Sequence, residues 1–542
     1  MTTTGDVEEA ALSPDARYLA AIRRADGEWS PWPRQLATGS DVELLAPQGV
    51  KQLHNPVFSP DGDYLNYSLS DERGALFTNY RLPVLGGTPR RIVVDIDTPV
   101  TFSPDGSRIA YLRNSVELRE QALLVAAADG SGERTLATRR QADGHTFSVS
   151  QPSLGPSWSP DGRTIAVAGF RHEGELQAEI VLVDAASGEE RGIGGEALLG
   201  ISGIAWLPEG DALIVACRKK VGNFLEQIWR VSLADGRLSR ITNDSLTYSG
   251  VSLGAAGESL VSVQQIDSST LWRRSVSDGV DRQLTFGSRE LLFSFETAAS
   301  GELYFSYFSG GVLGIARTGP EGEGRIALSH PDQTTQAVQV SRDGRTLVFY
   351  RLLDDGRLAL MVADREGNEA REVPCPDPTQ PFLLHPDGSW ILTRDARACW
   401  RQPIDGSPAT PYLEGKTVIP AAFSPDGTRL LYFRQEPTPD GSLQAVAEIV
   451  PTAGGDPIFR LERFPGLVGT SWYPDGGSLV ARIRKGSESS LWRFFLDGRP
   501  RQMISDFGAI PLGASKISPD GASIFYTRQA HSADAVLIEN FR

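Results

Sequence analysis

A short turn returns twelve times along this chain, and that repetition constrains the fold to a series of similar strand units. Its clearest copy is Phe102-Ser103-Pro104-Asp105-Gly106-Ser107-Arg108-Ile109-Ala110-Tyr111. Proline presets φ for the second position of a type I turn, Ser103 and Asp105 can bond nearby backbone groups, and Gly106 supplies the positive φ that closes a hairpin. Because proline cannot donate to a sheet ladder, one strand ends before the turn and the next begins after it. Past the turn, Ile109 and Tyr111 point to one side and Ala110 and Leu112 to the other. A strand apolar on both faces must be covered on both, as in a blade packed between two blades.

The copies start at Ser13, Ser59, Ser103 and Ser159, weaken at Leu207, Gly254, Ala298 and Ser341, and sharpen again at His385, Ser424, Tyr473 and Ser518. Most are 44 to 49 residues apart, close to the roughly 40 to 45 residues of a four-stranded propeller blade. The longest gap, from Ser103 to Ser159, contains the polar stretch Gln141 to Pro156, which reads as a loop insertion and not a thirteenth blade. Third strands recur, as at Ala122 to Ala127 and Thr270 to Val276, and fourth strands recur, as at Arg134 to Thr138 and Arg282 to Thr285. The expected fold is therefore all-β, with twelve four-stranded blades.

Propellers usually have about four to eight blades, so the pattern predicts two six-bladed β-propellers in tandem, residues 1–280 and 281–542, with one large closed ring as the alternative. Closure is expected by strand exchange, because an unpaired blade edge is a liability. Thr2 to Thr4 would complete the sixth blade and Arg282 to Thr285 the twelfth, with the boundary near Gly279 to Asp281. Pairing of Thr2 to Thr4 beside Ala535 to Phe541 would instead point to a single circuit.

The net charge of −15 argues against a general nucleic-acid or anionic-membrane surface. No apolar run approaches the roughly 20 residues that span a bilayer, and the first residues lack the basic and apolar regions of a signal peptide. A soluble monomer is expected. Cys217, Cys375 and Cys399 have neither disulfide nor metal-ligand spacing and read as packed thiols. The six histidines are scattered over different repeats, so no metal and no cofactor is expected.

Repeated acidic residues beside a glycine suggest chemistry at first sight. Yet Asp61, Asp105, Asp161, Asp387, Asp426, Asp475 and Asp520 all occupy one turn position, which assigns them to hairpin building. Ligand-binding candidates are sought in loops that do not repeat, between a fourth strand and the next first strand: His54, Asn55, Asp95, Asp97, Tyr248 and Gln333. There is no Gly-x-Ser-x-Gly elbow and no kinase nucleotide loop, His-Arg-Asp or Asp-Phe-Gly motif. No catalytic residue is assigned.

The Phe-Ser-Pro-Asp-Gly turn followed by an apolar strand resembles TolB-like, WD-related propeller repeats over essentially the whole chain. Trp32 to Ser40, Pro83 to Arg90, Arg240 to Asp244 and Val536 to Arg542 also resemble the C-terminal propeller region of acidobacterial eukaryotic-type serine/threonine protein kinases. That resemblance implies a non-catalytic sensor or interaction module, on the extracytoplasmic side of a bacterial membrane, which binds an unidentified protein, peptide or small ligand. Two alternatives stand beside it: a glycan-active hydrolase or lyase, which needs two convergent carboxylates, and a purely structural interaction scaffold.

Overall fold

The computed structural model describes residues 2–541 except 26–27, 42–51, 71–75, 116, 150–153, 172–176, 196–197, 220–224, 288–290, 310–311, 331–332, 356, 379, 396–397, 414–417, 438–442, 462–466 and 487. Within them the chain is strand and turn, with one 3-10 turn at Gln141–Asp143. Most strands pair antiparallel with their sequence neighbours. Val7–Leu12, Tyr18–Ala25, Glu28–Gln35 and Ser40–Asp41 form one such meander, and the same order recurs along the chain. Repeated meandering four-stranded sheets make this a multi-bladed β-propeller architecture.

Both faces of each sheet are used, as the alternation in the repeat requires. Ile109 and Tyr111 pack with Val93 of the preceding sheet and with Ile96 and Val100 of the connection into their own, whereas Ala110 and Leu112 pack with Phe147, Trp158 and Ile165 of the following sheet. The core is thus a series of apolar layers between sheets. Among the described residues, Gln141 to Pro156 adds no separate sheet. His145–Phe147 within it pairs with Thr164–Arg171, beside the short inner strand Ser157–Trp158.

The turn is built by its own side chains. Ser103 Oγ donates to Asp105 Oδ1 at 2.5 Å and accepts the Arg108 N–H at 3.0 Å. Asp105 Oδ1 accepts the Ser107 N–H at 3.1 Å, and Gly106, at φ 69°, donates its N–H to Ser103 O at 2.8 Å. The same serine–aspartate pair recurs at Asp61, Asp161, Asp426 and Asp520. Asp387 and Asp475 lack the serine but keep the backbone bond, to Ser389 N–H and Gly477 N–H. Ser103 is 1% exposed, and Ser103→Ala removes the acceptor of the part-buried Arg108 N–H, which should cost about 1 kcal/mol in denaturant unfolding.

Those hydroxyl bonds, with the backbone N–H bonds behind them, hold the turn carboxyls below the usual range, down to about 2 at Asp105 and at Asp426. Asp61, Asp161 and Asp520 are lowered in the same way. A depressed folded pKa adds stability above the unfolded value of 3.8 that is lost as the pH falls through the folded value. The melting temperature should therefore be insensitive to these groups above ~pH 5 and decline between pH ~4 and ~2. A flat profile over that lower range would contradict the assignment.

The chain divides into two compact units, one of residues 1–266 with 531–542 and one of residues 267–530. The sequence pattern sets its boundary at 280/281. The structural division falls inside a single strand, Ser259–Ser275, and again inside Ser523–Glu539, each 17 residues long. Where a second and a third strand joined by a hairpin would be expected, each of these runs straight on. Thr2 N–H donates to Ala535 O at 3.2 Å, and Asp6 bridges Ala533 in parallel. The pairing named above as the sign of a single circuit is therefore present, together with two compact units, because the chain passes between them within strands. Asp281–Gln283 pairs with Trp272–Arg274 in the second unit.

Candidate functional site

Inner strands in both units carry a recurring irregularity. The register of Gln52–Phe58 shifts between His54 and Val57, and Asn55 there adopts φ 66°. Equivalent shifts interrupt Gly200–Trp206, Thr335–Val340 and Leu512–Ile517. A bulge turns a side chain and an N–H away from the ladder. At Asn55 the freed N–H donates to Glu9 Oε2 at 2.7 Å, and His54 Nδ1–H donates to the other oxygen, Oε1, at 2.6 Å. His54 is further held edge-on by Trp29 and Phe77.

In the first unit a cavity of about 450 Å³ is walled by inner-strand segments around Glu9, Asn55, Val100, Trp158, Trp206 and Val251. Prolines of the repeated turns, Pro14, Pro104, Pro160 and Pro208, also line it. Glu9 is 5% and Asn55 4% exposed, and Asn55 Oδ1 has no hydrogen-bond partner. A cavity of about 230 Å³ in the second unit is likewise walled by six inner-strand segments, and it includes Glu296, Arg342, Trp472 and Lys516. There Lys516 Nζ sits 2.5 Å from Glu296 Oε1, and Arg342 donates to Pro425 O.

Of the six sequence candidates, the structure brings His54 and Asn55 together, on an inner strand and not in a loop. Asp97 accepts the Asn114 N–H at 2.7 Å, with its carboxyl pushed up by burial. Asp95, at φ 60°, lies 3.3 Å from Arg113 Nε, and Arg113 also pairs with Glu133. Tyr248 donates to Asp244 Oδ2 at 2.6 Å and accepts from Gln264 Nε2 at 3.0 Å, and burial followed by the Asp244 bond pushes its hydroxyl up to about 12. Gln333 donates its N–H to His330 O in the second unit. None of these four lines either cavity.

Sequence reasoning missed Glu9. Its signal was phase: Val7, Glu9 and Ala11 share the buried side of one strand. A carboxylate in the inward phase of an apolar strand marks a site or a buried pair. Burial raises the Cys375 and Cys399 thiols, and Cys217 is fully buried. Among the described residues no helix is long and apolar enough to cross a membrane.

No family model matches the chain. Over 129 residues it is 28% identical to an uncharacterized peptidase, YuxL, of Bacillus subtilis (strain 168), a match that spans 23% of this chain and 17% of that protein. Among solved structures it is similar to a TolB from Agrobacterium tumefaciens, at 18% identity and TM-score 0.32, covering 55% of this chain and 86% of that one. It is also similar to the tricorn protease, at 12% identity and TM-score 0.34, covering 97% and 62%. The propeller domain of the trilobed protease from Pyrococcus furiosus is a third, at 14% identity and TM-score 0.28, covering 61% and 99%. The curated relative is a peptidase and not a kinase. The kinase-linked sensor expected from the sequence is corrected accordingly.

Proposed function

We propose that this chain is a peptidase-associated propeller whose first unit admits extended peptide into its inner-strand cavity, while cleavage is left to a separate hydrolase. The observation that carries this reading is the first unit's cavity, lined by prolines and by Trp158 and Trp206 together with polar groups that include one buried carboxylate, Glu9. Its volume of about 450 Å³ falls in the range of small-ligand sites, roughly 300–1,000 Å³. Among the described residues lining the two cavities there is one carboxylate in each and no histidine. That favours binding over both acid–base hydrolysis of glycans, which needs a carboxylate pair, and triad chemistry, which needs a histidine. Six inner-strand segments wall each cavity, and on that ground each unit is read as a six-bladed ring.

The test is a titration of the whole chain with a tryptic digest of casein, read by the fluorescence of Trp158 and Trp206. A parallel assay follows release of new amino groups. Saturable quenching without release is the expected result. No binding would overturn the reading, and release of amino groups would overturn the separate-hydrolase part of it.

A further inference from the structure

We propose that the cavity of the first unit contains a subsite for a primary ammonium group, accepted by the Glu9 carboxylate and the Asn55 side-chain oxygen. A peptide presents that chemistry at its amino terminus or on a lysine side chain. The choice of a peptide as bearer rests on the function proposed above, whereas the ammonium chemistry stands on the cavity itself.

Glu9 lines the cavity at 5% exposure, and its two oxygens accept one hydrogen bond each, from His54 and from the Asn55 N–H. An ionised carboxylate can accept about four hydrogen bonds, so about half of its capacity is unused. Asn55 lines the same cavity, and its Oδ1 is a buried acceptor without a donor. Three donors on one ammonium group match this set of acceptors. Charge points the same way: among the described lining residues of this cavity there is no lysine or arginine. A buried carboxylate calls for a counter-charge.

The second unit supplies an internal comparison. Its cavity carboxylate, Glu296, already has an ammonium partner from the chain, Lys516 Nζ at 2.5 Å. In the first unit the carboxylate is held by a histidine and a backbone N–H, and no lysine among the described lining residues takes the place that Lys516 fills in the second. Coordination of a metal ion is the weaker reading, since among the described residues no group of three or more His, Cys, Asp or Glu is arranged to hold one.

The experiment uses the unaltered chain and the tetrapeptide amide Ala-Pro-Lys-Ala in four forms. These are the parent, the parent with its amino-terminal ammonium replaced by hydrogen, the parent with lysine replaced by norleucine, and the peptide carrying both changes. Binding is read by the fluorescence of Trp158 and Trp206, which line the cavity. The doubly altered peptide should bind about 10- to 100-fold more weakly than the parent, and the single changes identify which ammonium is used. Glu9→Gln should bring the affinity for the parent down to that of the doubly altered peptide. If that variant does not fold, the peptide series on the unaltered chain decides.

Equal saturable binding of all four peptides would overturn the subsite and leave the peptide reading standing. Binding of propylamine that Glu9→Gln abolishes, without binding of any peptide, would uphold the subsite and overturn the peptide reading. Binding of neither probe would overturn both.

Discussion

Removal of residues 531–542 is expected to unfold the first unit while the second keeps its structure. This segment supplies the closing strand of the first unit. Ala533 and Ala535 pack with Val7, Leu12, Leu19, Val261 and Val263, and Ile538 and Phe541 pack against the cluster of Leu207, Ile214 and Leu260. It also anchors the start of the chain: Ala535 N–H donates to Thr2 Oγ1 at 2.9 Å, and Gly5 N–H donates to Asp534 Oδ1 at 3.1 Å. Uncovering these apolar contacts should cost about 5–10 kcal/mol, which is comparable to the whole stability of a typical domain. Hydrogen exchange checks the result by region. Val7–Leu12 and 259–266 should lose protection, Thr346–Leu352 should keep it, and a synthetic peptide of residues 531–542 should restore what was lost. Unchanged protection at Val7–Leu12 would contradict the assignment of this strand to the first unit.

The second large effect is expected at Gly130, in the turn where its N–H donates to Ala127 O. It adopts φ 87°, and a Cβ there would lie 2.2 Å from the backbone oxygen of Ile92 in the preceding sheet. Gly130→Ala therefore combines left-handed strain with a clash against backbone that cannot rotate away. The expected loss is about 3–5 kcal/mol, read as a shift in the urea midpoint. Gly132, at φ 64° with nothing within 4 Å of a Cβ, provides the control. Its alanine variant should lose only about 1–2 kcal/mol. Equal losses at the two positions would show that backbone strain, and not the close approach of neighbouring sheets, sets the effect.

How much of the site was legible depended on how local its cause is. Most of the turn aspartates were readable because a serine two residues before them and an N–H two residues after them complete the bonding within one hairpin. His54 and Asn55 were picked as polar residues between repeats, but their partner Glu9 is 45 residues earlier in the chain. The bulge that frees the Asn55 N–H leaves no motif in the sequence, because Asn55 reaches φ 66° within an otherwise extended strand. Asp97 looked like a loop acid. In the structure it instead accepts a backbone N–H from Asn114.

By itself the sequence determined the strand–turn–strand unit, its twelve repetitions and the need to cover every sheet on both faces. Each of these follows from a few adjacent residues: a proline, a serine–aspartate pair, a glycine and a period of two. Only the tertiary structure decided how the chain divides. Neither Ser259–Ser275 nor Ser523–Glu539 contains a glycine or a proline, which is consistent with strands that run on without a hairpin. But the unit that each half joins is set by which open sheet edge it satisfies. Ala535 meets Thr2, more than 500 residues away along the chain, and a pairing over that distance is chosen by closure of the whole fold and not by local propensity.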